Sequence, residues 1–324
     1  MSKLALRVMR SCGVFALTRA WSARMVRILM YHNFSGPGGT DANALKVEGV
    51  REQFEYLRRH FKVVPLVQIA EQLASGRELD PKMVALTIDD GRRNCYEFLF
   101  PLLKEFELPA TFFVVSSFIR GEDWIWTDKV LWLSDQAKAP AELVGDELDD
   151  VFRSLNQLRP NERDARIAAM AKSVGLSIPQ EPPVKFAPCS WSELREMADS
   201  GLMEIGSHSA THPIFSSIGD EESWEELRRS RNQIEDGMGR SVRYFCFPNG
   251  MPGDFRASQV RQVQDAGYIC SVTAQFGMVQ SGCDPYRLPR IGMTRKASLA
   301  EIGKYLDGFA YYQQRLQRLQ RQDD

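Results

Sequence analysis

The chain has 324 residues, 44% of them apolar and 26% charged, which is ordinary for a soluble globular protein and enough for a sizeable core. A formal net charge of −1 provides no field to draw in nucleic acid or strongly acidic ligands, so a general electrostatic binder is disfavoured. The six cysteines are scattered with no Cys-x-x-Cys pair, which argues against a disulfide framework or a zinc–thiolate site and makes a reducing, cytoplasmic location the expectation.

Residues 1–26 form a basic segment with Lys3, Arg7, Arg10, Arg19 and Arg24 and no acid. Its apolar run, Cys12 to Leu17, is too short for a membrane span or for the core of a signal peptide. The segment reads either as a solvated first helix packed on the body of the fold or as an amphipathic helix resting on an anionic membrane surface. Apolar, β-branched runs then predict strands at Arg27–Tyr31, Lys62–Val64, Met83–Ile88, Ala110–Val115, Met203–Gly206, Tyr244–Phe247, Ile269–Thr273 and Arg287–Ile291. Most are apolar throughout, as strands buried on both faces are. Between them the periodicity predicts helices at Gly49–His60, Val67–Ser75, Asn94–Phe106, Ser190–Ser200, Asp220–Met238 and Asp254–Ala266. This alternation implies an α/β barrel or an open parallel sheet.

One stretch, about 121–188, carries no strand pattern. It holds Trp124, Trp126 and Trp132, helical patterns at Ala141–Leu158 and Asn161–Val174, and a Pro-rich loop from Ile178 to Pro188. It reads as a helical insertion, either shaping substrate access or capping the fold without touching a ligand. Its tryptophans are either platforms for sugar rings or core residues. Residues 298–324 are expected to form a C-terminal helix, with Leu299, Ile302, Leu306 and Phe309 on one face, and a polar tail.

Three contexts carry chemistry. Thr87-Ile88-Asp89-Asp90-Gly91 ends an apolar strand in two adjacent carboxylates. Strand C-termini face the functional side of parallel α/β folds, and two anions this close call for a cation. The alternative is that one of them caps the helix beginning near Asn94. Ser207-His208-Ser209-Ala210-Thr211-His212-Pro213 follows another strand. Histidines at i and i+4 on a helical turn present two imidazoles on one face, which suits a divalent metal. Two imidazoles and one carboxylate leave coordination positions open, so metal-assisted hydrolysis of an amide or ester follows from the residue types, with the second carboxylate as the base. Tyr31-His32 ends the first strand, and His32 is the remaining histidine placed to protonate a leaving amine. His60, at a helix end, reads as solvated or interacting with the helix dipole.

These motifs resemble those of polysaccharide deacetylases with the NodB homology domain, carbohydrate esterase family 4. Thr87–Gly91 is similar to the family's first motif, Ser207–Pro213 to its second, and Tyr244–Gly250 to its third. The resemblance spans roughly Arg27 to Ile291, interrupted by the insertion. It implies a distorted (β/α) barrel over 27–297 and hydrolysis of N-acetyl, or sometimes O-acetyl, groups on a glycan or glycan precursor, a linear-amide hydrolase activity. It further implies Asp89 as base, with Asp90, His208 and His212 holding zinc or another divalent metal such as cobalt or nickel. The backbone N–H of Asn249 falls where the family places an oxyanion donor. The usual late histidine is missing, and Tyr31-His32 is similar to a permuted branch of exopolysaccharide and biofilm-glycan deacetylases that supplies the acid from the N-terminal side. The usual third-motif arginine is also missing. Arg290 either replaces it by bonding to Asp89 or serves as a surface ion-pair partner. The family's Asp–Trp fourth motif is not visible. A non-catalytic carbohydrate-binding protein on the same fold is the rival reading, motivated by these departures.

Overall fold

The computed structural model describes residues 12–14, 17, 18, 22, 24–39, 41, 43–136, 139–143, 145, 147–293 and 299–320. Most of the basic N-terminal segment and the last residues of the polar tail, with the readings placed on them, lie outside these. Among the described residues, no helix is long and apolar enough to cross a membrane.

Seven parallel strands close into a barrel. They are β1 (Met25–Tyr31), β5 (Met83–Ile88), β6 (Ala110–Val114), β7 (Met203–Ser207), β8 (Tyr244–Cys246), β9 (Cys270–Phe276) and β11 (Leu288–Gly292). β1 closes the ring by pairing with β5 on one side, Tyr31 opposite Ile88, and with β11 on the other. Short β4 (Lys62–Val63) pairs with β5, and short β10 (Val279–Gln280) runs antiparallel to β1. β2 (Phe34–Ser35) and β3 (Leu45–Lys46) form a separate two-stranded ribbon after the first barrel strand. These three short pieces, β2, β3 and β10, carry too few residues to show a period, and the sequence pattern does not reveal them.

Strand alternation sorts the side chains into two layers. Ile28, Ala85, Phe113, Cys246 and Val272 point one way and gather with Leu66, Ile69 and Ala70 of helix Leu66–Ala74. Their neighbours Leu29, Leu86, Phe112 and Val114 point the other way, against helix Val47–His60 and the helices that follow. Both faces are buried, which is why β5 and β6 are apolar along their whole length. The inner layer is tight: a Cβ on Gly206 would stand 2.6 Å from the Phe113 ring, so no larger residue fits there.

Three helix expectations change. Asn94–Phe106 is a π turn, Cys95–Leu99, leading into an α-helix, Phe100–Phe106. Pro101 lies at the junction and lacks the N–H that a regular turn needs. The helix expected over Ala141–Leu158 is a 3-10 turn, Ala141–Leu143, followed by helix Glu147–Leu155. The C-terminal helix is two, Leu299–Leu306 and Phe309–Gln320.

The insertion contains no strand among its described residues, and only an isolated bridge joins Pro188 to Arg92. Besides the expected helices it has one at Trp126–Ser134, which packs with Pro160–Ser173 around Val130, Leu133, Ile167 and Met170. Trp124 and Trp126 are nearly fully buried, so they serve the core far more than a sugar surface.

Candidate active site

A cleft of about 470 Å³ opens at the C-terminal ends of the barrel strands, lined by His32, Asp89, Asp90, His208, His212 and Asn249 among others. Trp126, Leu131, Phe152 and Asn156 give it a wall from the insertion. The insertion therefore lines the cleft instead of capping the fold at a distance.

Adjacent strand residues normally point to opposite faces. Asp89 and Asp90 share the cleft because Asp90 takes φ 81° and Gly91 φ 97°, turning the chain just past the strand. Of the five non-glycine residues with positive φ among those described, four lie here: Asp90, Ser209, His212 and Asn249. Such backbone is unfavourable for L residues and persists where the surroundings hold it.

Asp89 and Asp90 have separate surroundings. Arg290, fully buried rather than at the surface, donates to Asp89 Oδ1 at 2.8 Å and Oδ2 at 2.7 Å. Its Nη1 also donates to the Thr87 hydroxyl at 3.0 Å and its Nε to the Thr273 carbonyl at 2.8 Å, which fixes the guanidinium plane. Burial pushes the Asp89 carboxyl upward, but Arg290 outweighs it and holds the group well below the usual carboxylate range. His32 Nε2 lies 3.6 Å from Asp89 Oδ2 and keeps 44% of its side chain exposed. Asp90 instead meets Arg92 at 3.2 Å, and Arg92 is clasped from behind by the buried Asp128. Burial again raises the Asp90 carboxyl, but Arg92 together with the three nearby histidines brings it below its ordinary value. Neither carboxylate serves the helix that starts near Asn94, so the capping alternative does not apply.

His208 and His212 do not sit on a helical turn. The segment is a bend, with Ser209 and His212 in left-handed backbone and Pro213 barring helix continuation. The bend still brings the rings together at 4.8 Å between centroids, with each Nε2 3.8 Å from Asp90 Oδ1. Glu226, on helix Asp220–Met238, accepts from the N–H groups of Ala210 and Thr211 at 2.8 and 2.9 Å and from the Thr211 hydroxyl at 2.8 Å. That carboxylate holds the bend in place. His208 Nδ1 donates to the Cys246 carbonyl at 2.8 Å, which leaves the Nε2 lone pair facing Asp90. Burial lowers both imidazoles, His212 to about 3, so both are neutral at pH 7.

The donor set fits a divalent cation: one carboxylate and two neutral imidazoles, with ligand atoms within 4.8 Å of one another. A zinc ion accepts nitrogen and oxygen ligands at about 2.0–2.2 Å, a distance that small inward movements of these three groups reach. Across the cleft, the Asn249 N–H donates to no acceptor among the described residues, and its side chain is tied to Asp254 at 2.5 Å.

Sequence reasoning missed four contributors: Arg92, Asp128, Glu226 and Cys246. The Cys246 thiol lies 3.6 Å from Asp89 Oδ2 and 3.1 Å from Arg290 Nη2. Arg92 follows the carboxylate pair after one glycine, and that proximity is a sequence signal for its cation. Asp128 and Glu226 are remote in sequence and carry no local signal.

The family model described as polysaccharide deacetylase matches residues 76–270. An Escherichia coli K12 protein named poly-beta-1,6-N-acetyl-D-glucosamine N-deacetylase is 36% identical over 167 residues, covering 51% of this chain and 18% of that one. The chain thus spans less than a fifth of that relative's length. Among solved structures, the Streptococcus pyogenes deacetylase PplD superposes with a TM-score of 0.61 at 14% identity, covering 87% of this chain and 98% of that one. IcaB from Ammonifex degensii gives 0.60 at 20% identity, covering 88% and 97%. At these identities the likeness speaks to the barrel fold.

Proposed function

The chain belongs to the polysaccharide deacetylase family of enzymes, and from that premise we propose that it hydrolyses acetyl groups, chiefly N-acetyl, on a glycan or glycan precursor with the help of a divalent metal. The observation that carries this reading is the convergence of Asp90, His208 and His212 in one cleft with Asp89 and His32. The name of the Escherichia coli relative supports poly-N-acetylglucosamine-like polymers as the substrate class to try first.

Asp90, His208 and His212 would hold the ion, zinc or else cobalt or nickel. When bound, such an ion supplies Lewis acidity to the acetyl carbonyl and to the attacking water, which a carboxylate as strongly stabilised as Asp89 needs before it can take a proton. Asp89, kept ionised and oriented by Arg290, is the base that receives the proton of the attacking water. The free N–H of Asn249 is positioned to donate to the carbonyl oxygen as negative charge builds on it. His32 delivers a proton to the departing amine, and its exposed ring exchanges protons with solvent between turnovers.

The test is acetate release from N-acetylglucosamine oligomers by zinc-loaded protein, with metal content measured alongside. Asp89→Asn is expected to keep its metal and lose at least about a hundredfold in kcat, the scale of general-base catalysis. Undiminished turnover in that variant removes Asp89 from the role. Glycan binding with no acetate release by the wild type would make the chain a binding protein.

A further inference from the structure

A second cavity, of about 350 Å³, abuts the first. Trp126 lines both, and Thr211, which sits between His208 and His212, lines the second. Most charges at this cavity are already matched. Lys129 pairs with Asp123 at 2.7 Å, and Arg229 pairs with Glu122 at 2.5 Å. Asp164, exposed to solvent, lines the same cavity and acts on Arg163 through space without an ion pair or hydrogen bond to it.

Arg163 differs from all of these. It projects from helix Pro160–Ser173, is only 3% exposed, and lines the cavity. Its guanidinium carbon lies 4.6 Å over the Trp126 ring, a cation–π contact. Neither Nε nor Nη1 has a hydrogen-bond partner, and no carboxylate among the described residues pairs with it. A buried cation without a hydrogen-bonded counter-ion is costly and is seldom kept for stability alone. Trp126 holds the guanidinium in place but leaves its in-plane donors unused, and those are the donors that take a carboxylate or phosphate.

We propose that this cavity is a subsite for an oxyanion, a carboxylate or a phosphate, carried by the glycan next to the sugar being deacetylated, and that Arg163 is its binding residue. The part of this statement that concerns the glycan rests on the deacetylase reading; the anion site itself does not. The cavity's volume, about 350 Å³, suits a sugar bearing the charge better than a bare ion.

Two measurements test this on the full chain. The first is independent of activity: thermal melting of wild type, Arg163→Met and Arg163→Lys in the presence of glucose, glucuronate or glucose 6-phosphate at equal concentration. Glucuronate or glucose 6-phosphate is expected to raise the wild-type Tm above the glucose control, and the stronger of the two identifies the anion. R163M is expected to melt higher than wild type without ligand, because the unpaired charge is gone, and to lose the anion-induced rise. R163K retains a charge and should retain part of that rise. An anion effect that is absent from wild type, or equal in wild type and R163M, overturns the proposal. The second measurement compares kcat/KM for a neutral acetylated oligosaccharide with that for one carrying a uronic acid or sugar phosphate. The acidic-to-neutral ratio should fall on the order of tenfold to a hundredfold in R163M, the worth of charge-assisted hydrogen bonds. An unchanged ratio means the subsite does not serve the glycan. A wild-type protein that shows the anion effect but releases no acetate refutes the deacetylase reading and leaves the anion site standing.

Discussion

Arg290→Met isolates the interaction on which the proposed base depends. The substitution removes the bonds to Asp89 at 2.8 and 2.7 Å and those to the Thr87 hydroxyl and the Thr273 carbonyl, and leaves Asp89 at 2% exposure without its counter-ion. Breaking a buried ion pair from one side costs about 3–5 kcal/mol. With a urea m-value of about 3 kcal/mol per molar, the unfolding midpoint should drop by roughly 1–1.7 M. The loss must also depend on pH. In wild type the native Asp89 carboxyl sits below its unfolded value, so its contribution is full above the ordinary carboxylate range and is lost as pH falls through the native pKa. In R290M burial is left largely unopposed, the native pKa moves above the unfolded one, and the penalty grows as pH rises above about 4. The gap between the two proteins is therefore widest near neutrality and narrows on acidification. Urea melts of metal-free wild type, R290M, Asp89→Asn and the double variant at pH 7 and pH 4.5 read this directly. The double-mutant cycle should give a coupling of about 2–3 kcal/mol at pH 7 and less at pH 4.5. A deficit equal at both pH values, or additive single variants, would refute the claim that Arg290 acts by pairing with an ionised Asp89.

Other residues make separate predictions. His32→Gln should lower kcat by about 10²–10⁴ on an N-acetyl substrate and by less on an O-acetyl one, because an alcohol leaves with less help from an acid than an amine does; equal losses on both, measured by acetate release, would place His32 elsewhere in the chemistry. Zinc at about a hundred times its Kd should stabilise wild type by about 2.7 kcal/mol, seen as a higher Tm than in chelator, and His212→Ala should remove that difference. Glu226→Gln loosens the bend that carries the two histidines without touching the ion, so zinc affinity measured by competition with a chelating dye should weaken by about 10–100-fold.

The parts of the molecule that the sequence revealed share a physical reason. Most barrel strands are runs apolar enough to stand out locally, and Met83–Ile88 matches residue for residue. The residues of the candidate site that share the cleft stand out in sequence because strand ends announce them: Tyr31-His32 ends β1, Asp89-Asp90 follows β5, and His208 follows β7. The conformation at those ends was not legible. The helical turn expected for His208 and His212 is a bend, because left-handed backbone at Ser209 and His212 is imposed by Glu226 and Ser209 contacts that no local pattern encodes. Arg290 remained ambiguous for the same reason: its partner Asp89 is 201 residues away, and only the closed barrel sets β11 against β1, whose other neighbour is β5.

The insertion is where sequence and structure differ most in what they imply. From sequence it is an interruption between two motifs, and an interruption can be ornamental. In the structure its helix Trp126–Ser134 carries Asp128, fully buried and bidentate on Arg92, and Arg92 in turn reaches Asp90. Arg92 is the member both carboxyl groups depend on, since removing it strands Asp90 and Asp128 together without solvent. The same helix supplies Trp126, which faces the catalytic cleft on one side and holds Arg163 on the other. Cutting out the insertion would leave Arg92 with Asp90, a proposed metal ligand, as its one ion-pair partner among the described residues, and would remove Arg163 altogether. The barrel and its insertion therefore build the cleft together: the insertion's Asp128 holds Arg92 against Asp90, and its Trp126, Leu131, Phe152 and Asn156 supply one wall.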